Sequence, residues 1–138
     1  MRNFFIYLII SVALTLSASE IDWAKDYNSG IEQAKKAGRP VLFVSSRHTC
    51  KYCVILDETT FKDDRVIDEL NNGFVSIISY SDERDYMPKE LWRPGTPAIW
   101  FLLPNGEPMY QPLMGAIDAD NFLKALAIVK EEYTKRKN

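Results

Sequence analysis

An α/β fold with a mixed central sheet follows from three features of this 138-residue chain. Two short apolar, β-branched runs, Val41–Val44 and Phe74–Tyr80, flank a stretch of helical periodicity. Strand, helical crossover, strand is the unit that builds a parallel pair. A third apolar run, Ala98–Leu103, passes through Pro104-Asn105-Gly106-Glu107 into Met109–Met114. Asn-Gly between two apolar runs marks a hairpin, which adds antiparallel partners to the sheet.

The elements read as follows. Glu20–Tyr27 is a lead-in segment anchored by Trp23. Asn28–Ala37 is a first helix with Ile31, Ala34 and Ala37 on one side; Gly38 ends it and Pro40 forbids continuation. Val41–Val44 is continuous hydrocarbon, a strand buried on both faces. Ser45–Thr49 is a polar turn, and Cys50–Phe61 a helix carrying Cys53, Val54, Leu56 and Phe61. Asp63-Asp64 opens another helix with Val66, Ile67 and Leu70 facing inward, closed by Asn72-Gly73. Ser81–Gly95 is a charged connection. Asp118 caps a last helix running to about Lys135, with Phe122, Leu126 and Val129 on one face and Ala125 and Ile128 filling beside them.

Composition places the chain among ordinary globular proteins, with 46% hydrophobic and 26% charged residues. The length predicts one domain. A formal net charge of −2 and the lack of an internal basic stripe argue against nucleic acid as a partner. The one basic cluster, Lys135-Arg136-Lys137, reads as a solvated helix end.

The first nineteen residues have the three-part layout of a secretory signal. Met1-Arg2-Asn3 is a cationic start, Phe4–Leu16 an apolar run, and Ser17-Ala18-Ser19 a small-residue cleavage site. The apolar run falls short of the ~20 residues that span a bilayer. Cleavage after Ser19 removes Arg2, shifts the net charge from −2 to −3, and leaves one domain over residues 20–138. Export to the periplasm is the expectation.

Export sharpens the meaning of the only two cysteines, Cys50 and Cys53. In an oxidising compartment structural bridges link distant segments, whereas a bridge across two residues removes little chain entropy. The pair also falls after a buried strand, where a helix begins. There the unpaired N–H groups and the positive end of the helix dipole stabilise a Cys50 thiolate. Cys53, one turn on, faces back towards the sheet and can resolve a mixed disulfide formed at Cys50. Zinc would need four ligands, and the chain offers two cysteines and the single histidine, His48. Haem attachment would need a histidine after the second cysteine, where Val54 stands. A redox dithiol is the favoured reading; an inert bridge is the alternative.

Phe43–Cys53 resembles the strand-to-active-helix segment of thioredoxins, and Gly95-Thr96-Pro97-Ala98-Ile99-Trp100-Phe101 resembles the loop that carries their cis-proline. Pro104–Glu107 resembles the turn of their closing hairpin. Ile31–Val41 and Thr60–Val66 are most similar to the periplasmic thioredoxin-like branch, which includes the Dsb-type, cytochrome c maturation and sulfur-oxidation proteins. The resemblance covers essentially all of the chain after the leader. It implies the thioredoxin fold, with helices on both faces of the sheet. It makes Cys50 the nucleophile, Cys53 the resolving thiol, Pro97 a cis residue against the sulfurs, and Thr96 the backbone site for an extended substrate strand. It implies no cofactor beyond the Cys50–Cys53 disulfide and no metal. Partners would be cysteine-containing proteins and a membrane-bound or soluble thiol donor or acceptor, with the chain acting as a monomer.

The departures from the family matter. Thr49 replaces the usual Trp before the first cysteine, and Val44 stands where the preceding strand usually buries an acid as a proton relay. That leaves the proton path to Cys53 unassigned, with water or His48 as substitutes. Lys51-Tyr52 lacks the Gly-Pro of reducing thioredoxins, and Tyr52 with Thr96 resembles periplasmic isomerases. A reductase is favoured; an isomerase, an oxidase or a non-catalytic binding module is the alternative. His48 reads either as a surface turn residue or as a group tuning Cys50, and Lys51 either as a solvated charge or as a stabiliser of the thiolate. Trp92, Trp100 and Tyr110 read as packing residues, with the substrate groove a second place for Trp92.

Overall fold

The structure is a computed structural model that describes residues 20–138, so the predicted leader at residues 1–19 lies outside the described residues. Its centre is a four-stranded sheet of order β2-β1-β3-β4. Strand β1 (Val41–Ser46) pairs in parallel with β2 (Val75–Tyr80), Val41 opposite Val75 and Ser46 opposite Tyr80. On its other side β1 runs antiparallel to β3 (Ala98–Leu102). Paired with β2 along its whole length and with β3 as far as Ser45, β1 has all six residues buried, as its hydrocarbon run requires. The strand outlasts that run by two residues, Ser45 and Ser46. Both are buried, because neighbouring strands flank them and not because they are apolar.

Helix α1 (Tyr27–Ala37) starts at Asp26, whose carboxylate accepts the Ser29 N–H at 2.8 Å. It ends at Gly38, which takes the left-handed conformation (φ 64°) that a residue with a Cβ adopts at a cost. Its buried stripe is Tyr27, Gly30 and Ala34, rotated from the expected Ile31, Ala34 and Ala37. Gly30 sits flush on Ile77, where a Cβ would overlap the isoleucine side chain, and that close approach turns the helix.

Side chains alternate across β1. Val41 and Phe43 face α1, together with Val75, Ile77, Trp100 and Leu102. Helix α1 shares this face with the connection after β2, whose Leu91 is buried and accepts the Trp100 indole N–H at 3.0 Å. Leu42 and Val44 face the opposite way, into the main core formed with α2 (Lys51–Glu58), α3 (Asp64–Gly73) and α4 (Ala119–Lys137). Asp63 caps α3 and Asp118 caps α4. Helices therefore lie on both faces of the sheet, as expected.

Three local details depart from the sequence reading. The helix after Cys50 stops at Glu58 and gives way to a 3-10 turn at Thr60–Lys62. The Thr59 hydroxyl bonds back to the Ile55 carbonyl at 2.6 Å, and the Thr60 hydroxyl bonds across to the Ile117 carbonyl at 2.5 Å, which pulls the chain off the helical path. The hairpin after β3 turns as predicted, with the Leu103 N–H donating to the Glu107 carbonyl at 2.8 Å. Its return arm, though, pairs regularly only at β4 (Leu113–Met114). Leu102 is opposite Pro108 and Ile99 opposite Leu113, so two extra residues bulge out of the arm around Pro112, which has no N–H to give. Ile128 is 59% exposed, because it stands about 100° round the helix from Val129 and about 200° from Leu126, off the Phe122–Leu126–Val129 stripe.

Candidate active site

The site lies where β1 delivers the chain into α2. After Ser46 a short turn carries Arg47, His48 and Thr49, and Cys50 then occupies the N-cap of α2. Cys50 is extended (φ −81°, ψ 123°), and its sulfur accepts the Cys53 N–H at 3.3 Å. A cysteine sulfur thus fills the role an Asp or Ser oxygen usually plays, and the helix terminus presents its N–H groups to it. On its other side the Cys50 thiol donates to the Thr96 carbonyl at 3.3 Å. The Thr96–Pro97 bond is cis, Pro97 is buried, and the Pro97 carbonyl accepts the Gly115 N–H at 3.1 Å. Cys50, Cys53, Thr96 and Pro97, singled out from the sequence on separate segments, therefore come together.

The two thiols are shifted in opposite directions. Burial pushes the Cys50 thiol up, but hydrogen bonds outweigh it and bring it below its ordinary value of 9.0: from the Cys53 thiol, from the Thr96 hydroxyl, and from the N–H groups of Cys53 and Tyr52. Cys53 is 1% exposed, and burial, followed by its bond to Cys50, pushes its thiol above 9.0. Ser46 and Thr96 hydroxyls and the Arg47 N–H oppose this without reversing it. Ser46 shares the α2 face of β1 with Leu42 and Val44, a polar end to an apolar row that the sequence reading assigned to a turn. Alkylation of the reduced protein with iodoacetamide across pH is expected to show one thiol titrating below 9.0 and a second above it. Peptide mapping should assign the first to Cys50; the reverse assignment would contradict this geometry.

His48 stands on the flank. Its ring stacks on Tyr80 at 3.9 Å between centroids, its Nε2 lies 2.7 Å from the Glu83 carboxylate, and its N–H donates to Asp82 at 2.9 Å. The groups that bond Cys50 are Cys53, Thr96 and the Tyr52 N–H. Lys51 lies 5.9 Å from the centre of the exposed Tyr52 ring. Trp100 is buried, with the Arg93 guanidinium 4.6 Å over its ring, whereas Trp92 is 60% exposed and Tyr110 40% exposed. Among the described residues no three His, Cys, Asp or Glu side chains gather as metal ligands.

This sheet, with a dithiol at a helix N-terminus and a cis-proline beside it, defines the thioredoxin class of protein. A family model described as a thioredoxin-like domain matches residues 27–130, and the chain belongs to that family. It is 27% identical over 118 residues to the thiol:disulfide interchange protein DsbD of Campylobacter jejuni. That match covers 81% of this chain and 21% of DsbD, so the chain spans about a fifth of that relative. The solved thioredoxin of Thermus thermophilus is 25% identical with a TM-score of 0.67, over 80% of this chain and 87% of that one. The C-terminal domain of Neisseria meningitidis DsbD, in its oxidised form, shares the fold at 19% identity and a TM-score of 0.57, over 72% and 89%.

Proposed function

We propose that this chain is an exported thiol–disulfide oxidoreductase, acting as a reductase on disulfides of periplasmic proteins. The observation that carries the reading is the division between the thiols: Cys50 reachable and held towards thiolate, Cys53 buried and held protonated. The Cys50 thiolate attacks a substrate disulfide; Cys53 then attacks the mixed disulfide and releases the reduced substrate. When Cys50 ionises, it no longer donates to the Thr96 carbonyl. That oxygen is then free to accept an N–H from an extended substrate strand lying beside Pro97. The Cys50–Cys53 disulfide is the only redox group required, and a membrane-bound or soluble thiol partner regenerates the dithiol. Similarity to DsbD, an interchange protein by name, supports exchange with cysteine-containing proteins. The predicted leader at residues 1–19 supports export.

Titration in graded glutathione buffers tests the reading. The expected result is one reversible two-electron transition, nearer to about −270 mV than to about −120 mV. A potential near the upper figure would make the protein an oxidant. A pair that neither reduces nor exchanges would leave it a binding module.

A further inference from the structure

Before Cys53 can attack, its thiol must lose a proton, and burial opposes that loss. On the α2 face of β1 stand Val44 and Ser46, a hydrocarbon and a hydroxyl, neither of which is a base near neutral pH. The carboxylate closest to Cys53 along the chain is Asp57, four residues on and one turn further along α2. Residues so spaced share one helix face, with Cβ atoms about 5–6 Å apart. Helical side chains lean towards the N-terminus, so Asp57 stands on the Cys53 side of α2 and leans towards the turn that holds it.

Asp57 is drawn half into the protein without a structural task. It makes no side-chain hydrogen bond or ion pair with any described residue. Six other aspartates have such partners: Asp26, Asp63 and Asp118 cap helices, Asp82 and Asp85 accept backbone N–H groups, and Asp120 pairs with Arg65. The far side of Asp57 lines a cleft of about 250 Å³ with Glu20, Trp23, Phe61, Lys62 and Tyr80, and this cleft opens to solvent. Burial raises the carboxyl above the usual range; His48 and Lys62 oppose the rise, and Glu58 adds to it. Tyr80, facing it from β2, is pushed up to about 12 by its own burial and the surrounding carboxylates, and so stays a neutral phenol. Glu20 is the remaining charged group around the cleft.

We propose that Asp57 is the proton acceptor for Cys53 in the resolving step, an inference that rests on the dithiol reading above. The Cys53 S–H gives its proton to the Asp57 carboxylate, and its electron pair forms the bond to Cys50 Sγ. The bond between Cys50 and the substrate sulfur breaks, and its pair leaves on the substrate as a thiolate, which takes a proton from water. Cys50 and Cys53 are oxidised together by two electrons, and the substrate disulfide is reduced by the same two. Asp57 returns its proton to solvent through the cleft.

The test is single-turnover reaction of the reduced full chain with a dithiobis(nitrobenzoate) probe, comparing wild type, Asp57→Asn and Asp57→Glu. Attack by Cys50 releases one coloured thiolate, and resolution by Cys53 releases the second. The first release should be unchanged in Asp57→Asn, and the second slowed roughly 100-fold near neutral pH, the size of a lost general base. The deficit should close only as the pH rises through the titration of Cys53 itself, above 9.0, where that thiol ionises unaided, and Asp57→Glu should recover most of the rate. The sign is diagnostic: removing a negative charge alone would make Cys53 easier to ionise and speed the second release. An unchanged or faster second release in Asp57→Asn would overturn the proposal, as would slowing by the same factor at every pH. Failure of the first release in wild type would instead overturn the dithiol reading, and this inference with it.

Discussion

Tagged Cys53→Ser protein recovered from cells is expected to carry disulfide-linked partners that reducing agent releases, whereas Cys50→Ser carries none. The asymmetry follows from position. Cys50 caps α2 with its sulfur among N–H donors and beside the Thr96 carbonyl, so under the proposed function it is the thiol that meets the substrate and forms the mixed disulfide. Cys53 is 1% exposed and can reach only what Cys50 already holds. Loss of the second thiol stops the cycle after its first bond and freezes the mixed disulfide. Loss of the first prevents the cycle from starting. In both variants turnover falls to background, but only one accumulates covalent complexes, which non-reducing electrophoresis separates. Identical behaviour of the two variants would undo the assignment of roles.

Phe122→Ala should destabilise the fold by about 3–5 kcal/mol, the usual cost of emptying a buried phenylalanine site. Phe122 is fully buried on α4, where its ring lies 6.0 Å from Phe61 and 6.2 Å from Phe101. It therefore joins the last helix to the turn after α2 and to the central strand β3. Against a total stability of about 5–15 kcal/mol this is a large fraction. A lower urea midpoint at unchanged slope would report it. Cys50 alkylation should keep its wild-type pH profile under native conditions, since the groups that bond Cys50 are Cys53, Thr96 and the Tyr52 N–H. A loss below about 1 kcal/mol would mean the site collapses around the gap.

What the sequence made legible is what local chemistry decides. Continuous hydrocarbon at Val41–Val44, Asp residues at two helix starts, Gly38 at a helix end and Asn105-Gly106 at a turn each act within a few residues. The cysteine pair was legible from its spacing and its place after a buried strand, and Thr96 and Pro97 from the resemblance of their loop to that of thioredoxins. The burial of Ser45 and Ser46 was not, since tertiary pairing with β2 and β3 overrides their polarity. Nor was the bulge at Pro112, whose two extra residues appear only once the register against β3 is known. Glu83 and Tyr80 reach His48 from the far end of β2, a contact set by the parallel register that places Ser46 opposite Tyr80. Asp57 had a signal that could have been read: a carboxylate one helical turn after Cys53.

Both margins of the sheet are guarded. Along β2, Trp23 bridges Ser76 and the Ala24 N–H occupies the Ser76 carbonyl at 2.8 Å. At the other margin β4 offers two residues, preceded by a proline with nothing to donate. Unpaired strand edges are where folded chains stick to one another and begin fibrils. Under the proposed function foreign strands dock at Thr96, beside the sulfur, and they find little purchase elsewhere. Crowding such molecules together therefore does not zip their sheets into one another, and the hospitality of the fold is confined to the place where the chemistry is.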